Sequence, residues 1–440
     1  MNKPRATGLF PIGYCLLFIV LFPEFTLATQ DSIPPHPLTV GECVEIALEN
    51  NPSLLKAKSS LAIASAGVQS ASARVLPQIG ASSGYTKSEQ SLSSALNTMQ
   101  ENYQTTFSAT QTIFDLGQFS RLSAAKSNKK ASEENFVNAK SLLVFNVKQA
   151  FYSLVKAKKL VEVAEGTLRQ SEEQKKRVKK MQELGAASLA DLLKVEVRLS
   201  ENKLNLLKAK NALKNARLAL AIVMGVDPQE NLEIIDELPS ADMDTIPSVE
   251  NLIALALKEH PEIKETQANL RGAKSSVYTA FSQKFPTLSA SASYGYSSKE
   301  WPKNNEMWKA HDSWSVGLNL NFHLFDGLLT EANIREAKAR KRIAENTYQE
   351  TRLTIISEVK KAYLELLQSK EKINLTKETI KQAEEDYRLT QERYRLGSAS
   401  LLELLTSQVS LTQARQGEIE ALCDYQIAKA QLERAVGLLK

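Results

Sequence analysis

Four segments of the chain alternate between apolar and polar side chains. The clearest covers 313–324, where six apolar residues occupy one face and serine, glycine, asparagine and histidine occupy the other. Segments 287–297, 79–85 and 103–113 repeat the pattern, the last two less cleanly. Because successive side chains of a strand point to opposite faces, we predict four strands of about ten residues, each with one apolar face.

The same alternation is found in half-buried strands of soluble sheets and in strands that cross a membrane. Two features favour the membrane. The strand length matches the 9–11 residues or so that a tilted membrane strand needs, and aromatic residues collect at the strand ends, as in the girdles of membrane barrels. The predicted girdle residues are Tyr85, Tyr103, Tyr294, Tyr296 and Trp314.

Four strands are too few to close a membrane barrel, since the smallest have about eight. An open sheet edge in lipid leaves backbone groups without hydrogen-bond partners, at several kcal/mol each. We therefore expect several copies of the chain to share one barrel. Two copies would give about eight strands and a filled interior, whereas three would give about twelve and an open lumen. The small, hydroxyl-rich polar face fits a water-filled lumen.

Helical periodicity dominates the rest of the sequence. Heptads of small and branched apolar residues run from about residue 126 to 184, and again in the second half of the chain. The shorter segment 189–223 carries leucine at every seventh position, and a further helix is predicted over about 43–74. These two shorter helices, stacked end to end, would match the long helix in length. We therefore predict coiled-coil hairpins that continue the four strands.

The two halves of the chain carry the same sequence features in the same order. ALENNP in the first half corresponds to ALKEHP in the second, and a proline precedes each pair of strands, at Pro77 and Pro286. The matched features of the two halves are 209 to 212 residues apart, which indicates an internal repeat. We predict one structural repeat over 29–224 and another over 249–440. Between them, 225–248 holds seven acidic residues, three prolines and no lysine or arginine, which predicts an acidic linker.

Residues 1–28 are predicted to be a secretory signal peptide. Lys3 and Arg5 precede an apolar stretch over 8–22, and small residues around Ala28 supply a cleavage site. An uncleaved anchor is the alternative. No later segment approaches the roughly 18 apolar residues that a transmembrane helix needs.

Each long helical segment ends in the same short motif, LGAASLADLL in the first half and LGSASLLELL in the second. Glycine tolerates positive φ, so it is expected to end the helix and turn the chain back. The serine three residues later is placed to cap the returning helix, and an acidic residue follows in the first turn. The two predicted tips, farthest from the strands, comprise Gly185, Ser188, Leu189, Gly397, Ser400 and Leu401.

The remaining chemistry excludes several functions. The net charge of +5 is spread along the chain, without a basic run long enough to indicate nucleic acid. The four histidines show no ligand spacing, and there is no nucleophile elbow or phosphate loop, so we predict neither an enzyme nor a metal or cofactor site. Cys43 and Cys423 are expected to be buried small hydrophobes, with their pairing left open. A soluble coiled-coil scaffold or adhesin stalk would explain the heptads but not the signal peptide and strands.

The ALENNP opening, the proline–strand junctions, the FDLG and FDG starts of the long helices and the duplicated tip motifs resemble the TolC-like outer membrane efflux proteins. The resemblance covers residues 38–440. It implies an α+β membrane protein whose homotrimer forms a twelve-stranded outer-membrane β-barrel, set in the outer membrane lipid of a Gram-negative bacterium and continuous with a periplasmic α-helical barrel.

The resemblance also implies a function as the passive exit duct of a tripartite pump. A periplasmic adaptor would dock on the tips, and an inner-membrane transporter of the RND, ABC or MFS type would supply the energy. Type I protein secretion uses the same architecture and is the alternative. We favour efflux because it is the commoner role.

Three residues at the entrance of the duct receive roles from the resemblance. Tyr394 and Asp191 match positions that close the entrance, and Glu403 matches an acidic position facing the lumen. Three copies of Glu403 would form a ring of carboxylates that filters cations, whereas an ordinary acid at a helix start is the alternative. Ala399 stands where the best-known pattern has arginine, and Thr406 where it has a second acid. A weaker lock and weaker cation binding are therefore expected.

Overall fold

A computed structural model describes residues 36–91, 97–228, 232–235, 246–302 and 304–439. The predicted signal peptide and much of the predicted linker lie outside these residues. Within the described ranges, none of the helices has the length and apolar character needed to cross a membrane.

Four strands form one antiparallel sheet in chain order. β1 (Gln78–Ser91) pairs with β2 (Asn97–Phe114), which pairs with β3 (Thr287–Ser298), which pairs with β4 (Asp312–Asn321). The pairing of β2 with β3 joins the two halves of the chain. Within the described residues β1 and β4 each have a free edge, so the sheet remains open on both sides.

The strands of the first half are longer than predicted, with 14 residues in β1 and 18 in β2. The additional pairs lie beyond Tyr85 and Tyr103, from Thr86 opposite Asn102 onward. The sequence there is polar on both faces. Backbone pairing continues without any apolar alternation, and a prediction from side-chain pattern therefore ends too early.

The strands lead into two very long helices, α3 (Leu116–Glu183) with 68 residues and α8 (Leu329–Arg395) with 67. At 1.5 Å per residue each is about 100 Å long. Helix α3 begins well before the predicted start near residue 126, because the side chain of Asp115 accepts a hydrogen bond from the Gln118 N–H and caps the helix directly after β2. The predicted heptads begin only near residue 126, so they could not mark this start.

The prediction of one helix over about 43–74 is wrong. Two helices, α1 (Val40–Asn50) and α2 (Pro52–Ala73), meet at Asn51, which has extended backbone angles. Proline cannot donate the backbone hydrogen bond of a helix interior, so Pro52 starts a new helix instead. The side chain of Asn51 caps that helix.

The second half shows the same arrangement. Helices α5 (Val249–Glu259) and α6 (Pro261–Phe281) meet at His260, whose side chain caps the second helix by accepting from the Glu262 N–H. A six-residue helix, α7 (Asn305–Ala310), lies in the connection between β3 and β4.

The returning helices are α4 (Leu189–Met224) and α9 (Leu401–Val436), of 36 residues each. The C-terminal end of each returning helix packs against the break between two short helices. Gly225, at φ 75°, lies so close to Asn50 that an added Cβ would be 2.6 Å from its carbonyl oxygen. Gly437, at φ 82°, lies against His260 in the same way, with an added Cβ 3.0 Å from its Cα. Each half therefore packs one helix end against one proline break.

The predicted heptads form the helical core. Where α8 meets α5 and α9, an apolar cluster is fully buried, and a smaller cluster lies at the tips. The heptad positions of α8 in the larger cluster are Ile355, Val359, Ala362, Leu366 and Ile373. Cys43 and Cys423 are buried free thiols, as the prediction of small hydrophobes requires. Burial raises the pKa of Cys43 to about 12 and that of Cys423 to about 11, so neither thiol is reactive near neutral pH.

Candidate functional site

The chain reverses direction at two glycines, one at each predicted tip. Gly185 has φ 74° and Gly397 has φ 76°, in the left-handed region where side chains other than glycine are strained. An added Cβ at either position would meet nothing within 4 Å. Glycine is therefore required for its backbone conformation alone, as the motif predicts.

Serine and an acidic residue begin each returning helix. Ser188 accepts a hydrogen bond from the Asp191 N–H at 3.1 Å and donates to its carboxylate at 2.7 Å. At the other tip, Ser400 accepts from the Glu403 N–H at 3.2 Å, while its own N–H and hydroxyl donate to Glu403 Oε1 at 3.2 and 3.0 Å. Both carboxylates are thus bound to the caps of their own helices.

These contacts keep both carboxylates charged. Hydrogen bonds from the backbone and hydroxyl of Ser400 hold the pKa of Glu403 below its usual value, and the nearby Arg393 charge acts in the same direction. The Ser188 hydroxyl holds the pKa of Asp191 below its usual value, with a smaller effect from Lys194. Asp191 and Glu403 are therefore both ionised at neutral pH.

The two tips pack against each other through a small apolar cluster. Val178, Val195 and Leu401 are its buried members, and Tyr394 packs on them. Burial raises the pKa of Tyr394, as does the negative charge of Asp191 nearby. The structure therefore brings Tyr394 and Asp191 into one neighbourhood.

The tip residues differ in their exposure. Leu401 was predicted to belong to the docking surface. Its side chain is only 6% exposed in the single chain, because it packs the two tips together. Leu189 is 62% exposed, and the leucines preceding the two glycines, Leu184 and Leu396, are more exposed still. The apolar surface that a partner could contact lies at these leucines.

Arg393 is a partner of Glu403 that the sequence analysis did not identify. Its guanidinium lies 3.6 Å from the Glu403 carboxylate and donates to the Ser398 carbonyl at 3.1 Å. It therefore supplies a positive charge close to Ala399, where the family pattern has arginine. The two residues meet only because the turn folds one helix back on the other, so no local pattern in the sequence marks them.

At the ends of the long helices away from the tips, one face of the sheet exposes an apolar stripe. The side chains of β4 on this face are between 66% and 75% exposed: Trp314, Val316, Leu318 and Leu320. The other face carries serine, glycine and asparagine. A continuous apolar surface of this kind is unfavourable in water and marks a contact with lipid or another chain.

The predicted girdle residues lie near one end of this face. Tyr85 pairs with Tyr103 across β1 and β2, with ring centroids 4.7 Å apart, and Tyr294 pairs with Trp314 across β3 and β4. Tyr296 is an exception, because only 1% of it is exposed. A neighbouring loop covers it, and its predicted exposure to lipid is not found.

No group of three or more histidine, cysteine or acidic side chains suited to a metal ion occurs in the described ranges. A cavity of about 320 Å³ lies where the strands meet the helices, lined in part by Asp115 and Asp326. Both carboxylates are used by helix starts: Asp115 caps α3, and Asp326 accepts from the Thr330 N–H and hydroxyl.

Comparison with known proteins agrees with this geometry. The chain is 21% identical over 410 residues to the outer membrane protein TolC of Vibrio cholerae, covering 91% of each chain. It is 25% identical to the alkaline protease secretion protein AprF of Pseudomonas aeruginosa, covering 77% of this chain and 70% of the relative. The crystal structure of the outer membrane channel CmeC of Campylobacter jejuni has the same fold, with a TM-score of 0.82 at 20% identity over 90% of this chain and 85% of that one.

The family comparison covers most of the chain in two blocks. The sequence model of the family described as "Outer membrane efflux protein" matches residues 43–226 and 252–438. These blocks contain the four strands and both helical hairpins. The chain therefore belongs to the outer membrane efflux protein family.

Proposed function

We propose that three copies of this chain form a passive duct across the outer membrane and the periplasm of a Gram-negative bacterium, through which an efflux pump releases its substrates. The twelve strands of such a trimer would form one barrel. Each chain would contribute a duplicated unit of two strands and a long helical hairpin to it. The helices would continue the barrel as a tube.

One observation carries this proposal. The sheet combines an exposed apolar face, a small polar face and two free edges, and its strands lead directly into helices about 100 Å long. Lipid would cover the apolar face, and neighbouring copies would satisfy the edges. Three copies are favoured over two because the small polar side chains suit a water-filled interior.

Two partners follow from a passive duct. A passive duct has no energy source of its own, so the energy for transport would come from an inner-membrane transporter of the RND, ABC or MFS type. A periplasmic adaptor protein would connect that transporter to the tips. The exposed leucines beside the tip glycines, Leu184, Leu189 and Leu396, are the side chains we assign to this docking.

Protein secretion is a second candidate, supported by the similarity to AprF, whose name assigns it to alkaline protease secretion. In that case the same duct would form part of a type I system and would carry an unfolded polypeptide.

We assign Asp191, Tyr394 and Glu403 to the entrance of the duct. Asp191 and Tyr394 would help to hold the tips closed. Glu403 would face the lumen and attract cations, with its effect reduced by the Arg393 guanidinium 3.6 Å away.

The test is single-channel conductance of the purified mature protein in a planar bilayer. We expect a long-lived, cation-preferring conductance in the wild type. Glu403→Gln, which keeps a side chain able to cap the helix, should reduce the preference for cations. Arg393→Gln should increase it, because the carboxylate loses its nearest positive charge. The opposite signs make the two variants controls for each other.

Three outcomes separate the parts of this proposal. Unchanged selectivity in both variants would keep the duct and remove Glu403 from its lumen. A shift in the same direction in both would contradict the pairing of Arg393 with Glu403. A protein that never inserts into the bilayer would overturn the duct itself.

A further inference from the structure

The connection between β3 and β4, residues 299–311, carries two of the three tryptophans of the chain, Trp301 and Trp308. The third, Trp314, lies on β4. All tryptophan fluorescence therefore comes from this end of the sheet.

Both tryptophans of the connection lie on the apolar face of the sheet. The Trp308 ring stacks on Tyr296 with centroids 5.2 Å apart, and its indole N–H donates to the Tyr294 hydroxyl at 2.8 Å. The ring of Trp301 lies 6.0 Å from that of Tyr103. Tyr103, Tyr294 and Tyr296 share one face because they alternate with polar residues along their strands and pair across the sheet.

The backbone of β2 comes very close to β3 at this point. Gly295, between the two tyrosines of β3, lies on the polar face, and an added Cβ there would be 2.6 Å from the Thr105 carbonyl oxygen. Glycine in a strand marks such a close approach of a neighbouring backbone. In the proposed barrel the apolar face would be the outer one, because it would contact lipid.

We propose that residues 299–302 and 304–311 form a strap on the outside of the barrel, which places Trp301 and Trp308 at the boundary between lipid headgroups and acyl chains. This inference rests on the proposed function, since it needs a barrel in a membrane. Indole rings prefer this boundary because they combine an apolar body with a polar N–H. Trp301 is 53% exposed in the single chain and thus free to contact lipid.

The polar residues of the strap support the same orientation. Lys299, Glu300 and Lys309 are exposed, and they flank the two tryptophans in sequence. Charged side chains at this level of a membrane protein face water and headgroups. The strap therefore combines aromatic rings packed on the sheet with exposed charged residues, as expected if it lies beside the barrel rather than over its opening.

Tryptophan fluorescence in vesicles tests this inference. The purified trimer is inserted into phosphatidylcholine vesicles whose acyl chains carry bromine either close to the headgroup or close to the bilayer centre. Two variants, each keeping a single tryptophan by Trp→Phe substitution at the other two sites, report on Trp301 and Trp308. A third, keeping Trp314 on its strand, is the matched control.

We expect bromine near the headgroup to reduce the fluorescence of each single-tryptophan variant by roughly half or more, and aqueous iodide to have little effect, as for rings at the membrane interface. The wild type gives a second measurement that needs no substitution. Bromine should reduce the fluorescence of all three wild-type tryptophans, and not only the part of the signal that comes from Trp314.

Quenching of Trp314 by bromine, but of Trp301 and Trp308 by iodide only, would overturn the strap and leave the duct intact. It would mean that the connection lies over the pore. If bromine quenches none of the three, the chain has not formed a membrane barrel, and the proposed function fails together with the strap.

Discussion

Two residues at corresponding positions, Asn51 and His260, show how a single side chain decides the behaviour of a helix break. Each precedes a proline and caps the helix that follows. His260 is only 5% exposed, and its Nδ1 accepts from the Glu262 N–H. Burial lowers its pKa to about 4, with a further effect from the Arg434 charge. The imidazole of His260 is therefore neutral in the folded protein at neutral pH.

This leads to a prediction about acid stability. In the unfolded chain His260 binds a proton near pH 6.5, but in the folded chain it does so only near pH 4. The free energy of unfolding therefore carries no penalty from His260 above pH 6.5. As the pH falls toward 4, it decreases by up to about 3 kcal/mol, because the unfolded chain binds a proton that the folded chain does not. Urea unfolding of the helices, followed by circular dichroism between pH 7 and pH 4.5 or so, measures this loss.

The variant His260→Asn is the control, because the chain itself uses asparagine at the corresponding break. We expect it to keep the cap and remove this part of the pH dependence. The half-buried Glu262, whose pKa is raised by partial burial, acts in the opposite direction in both proteins. The difference between the two is therefore the quantity to compare. Parallel pH profiles would show that His260 is not the titrating group.

Gly295 allows a second prediction at this scale. An added Cβ would be 2.6 Å from a backbone oxygen of β2, which cannot move without breaking the strand pair. We expect Gly295→Ala to cost about 1–3 kcal/mol and to lower the temperature at which the proposed trimer dissociates in detergent.

Gly84→Ala is the matched control for this substitution. Gly84 lies on the same polar face, and an added Cβ would meet nothing within 4 Å. It should therefore be neutral or slightly stabilising. Equal dissociation temperatures for the two variants would contradict the close approach of the β2 backbone to Gly295.

Among the elements, the caps of the returning helices hold the tips in place. We predict that Ser400→Ala destabilises the first turn of α9 by about 1 kcal/mol, because it removes the acceptor for the Glu403 N–H. Hydrogen exchange of the peptide over 401–405 should become several times faster. Thr406→Ala is the control, since that hydroxyl donates only to its own helix, at the Leu402 carbonyl. If both variants exchange at the wild-type rate, the cap is not what orders the tip.

The strands and turns were predictable because their signals are local. Alternation marks each strand, and one glycine and one serine mark each turn. The break at Asn51 was missed because helical periodicity continues on both sides of it. The cover over Tyr296 and the contact between Arg393 and Glu403 were missed because each depends on how a loop folds back. Contacts across a turn or loop leave no period in the sequence.

For the whole molecule, the free edges of β1 and β4 are where one copy would join the next in the proposed barrel. An open edge would leave backbone groups without partners in lipid, so β1 of one copy would pair with β4 of another. The two edges are different surfaces, which makes the contact heterologous, and such contacts give a ring when the rotation between copies closes. The number of copies in the ring then sets the width of the lumen.

Cross-linking across this contact counts the copies. Ser82 of β1 and Ser315 of β4 both lie on the polar face of the sheet. We predict that the double variant Ser82→Cys/Ser315→Cys, treated with a flexible bifunctional maleimide, gives a ladder on a denaturing gel that ends at the covalent trimer. The native thiols Cys43 and Cys423 are buried with raised pKa values and should not react. Each single variant should remain monomeric, because its thiols lie far apart around the ring. A ladder ending at the dimer would instead mean a barrel of about eight strands, whose filled interior could not serve as a duct.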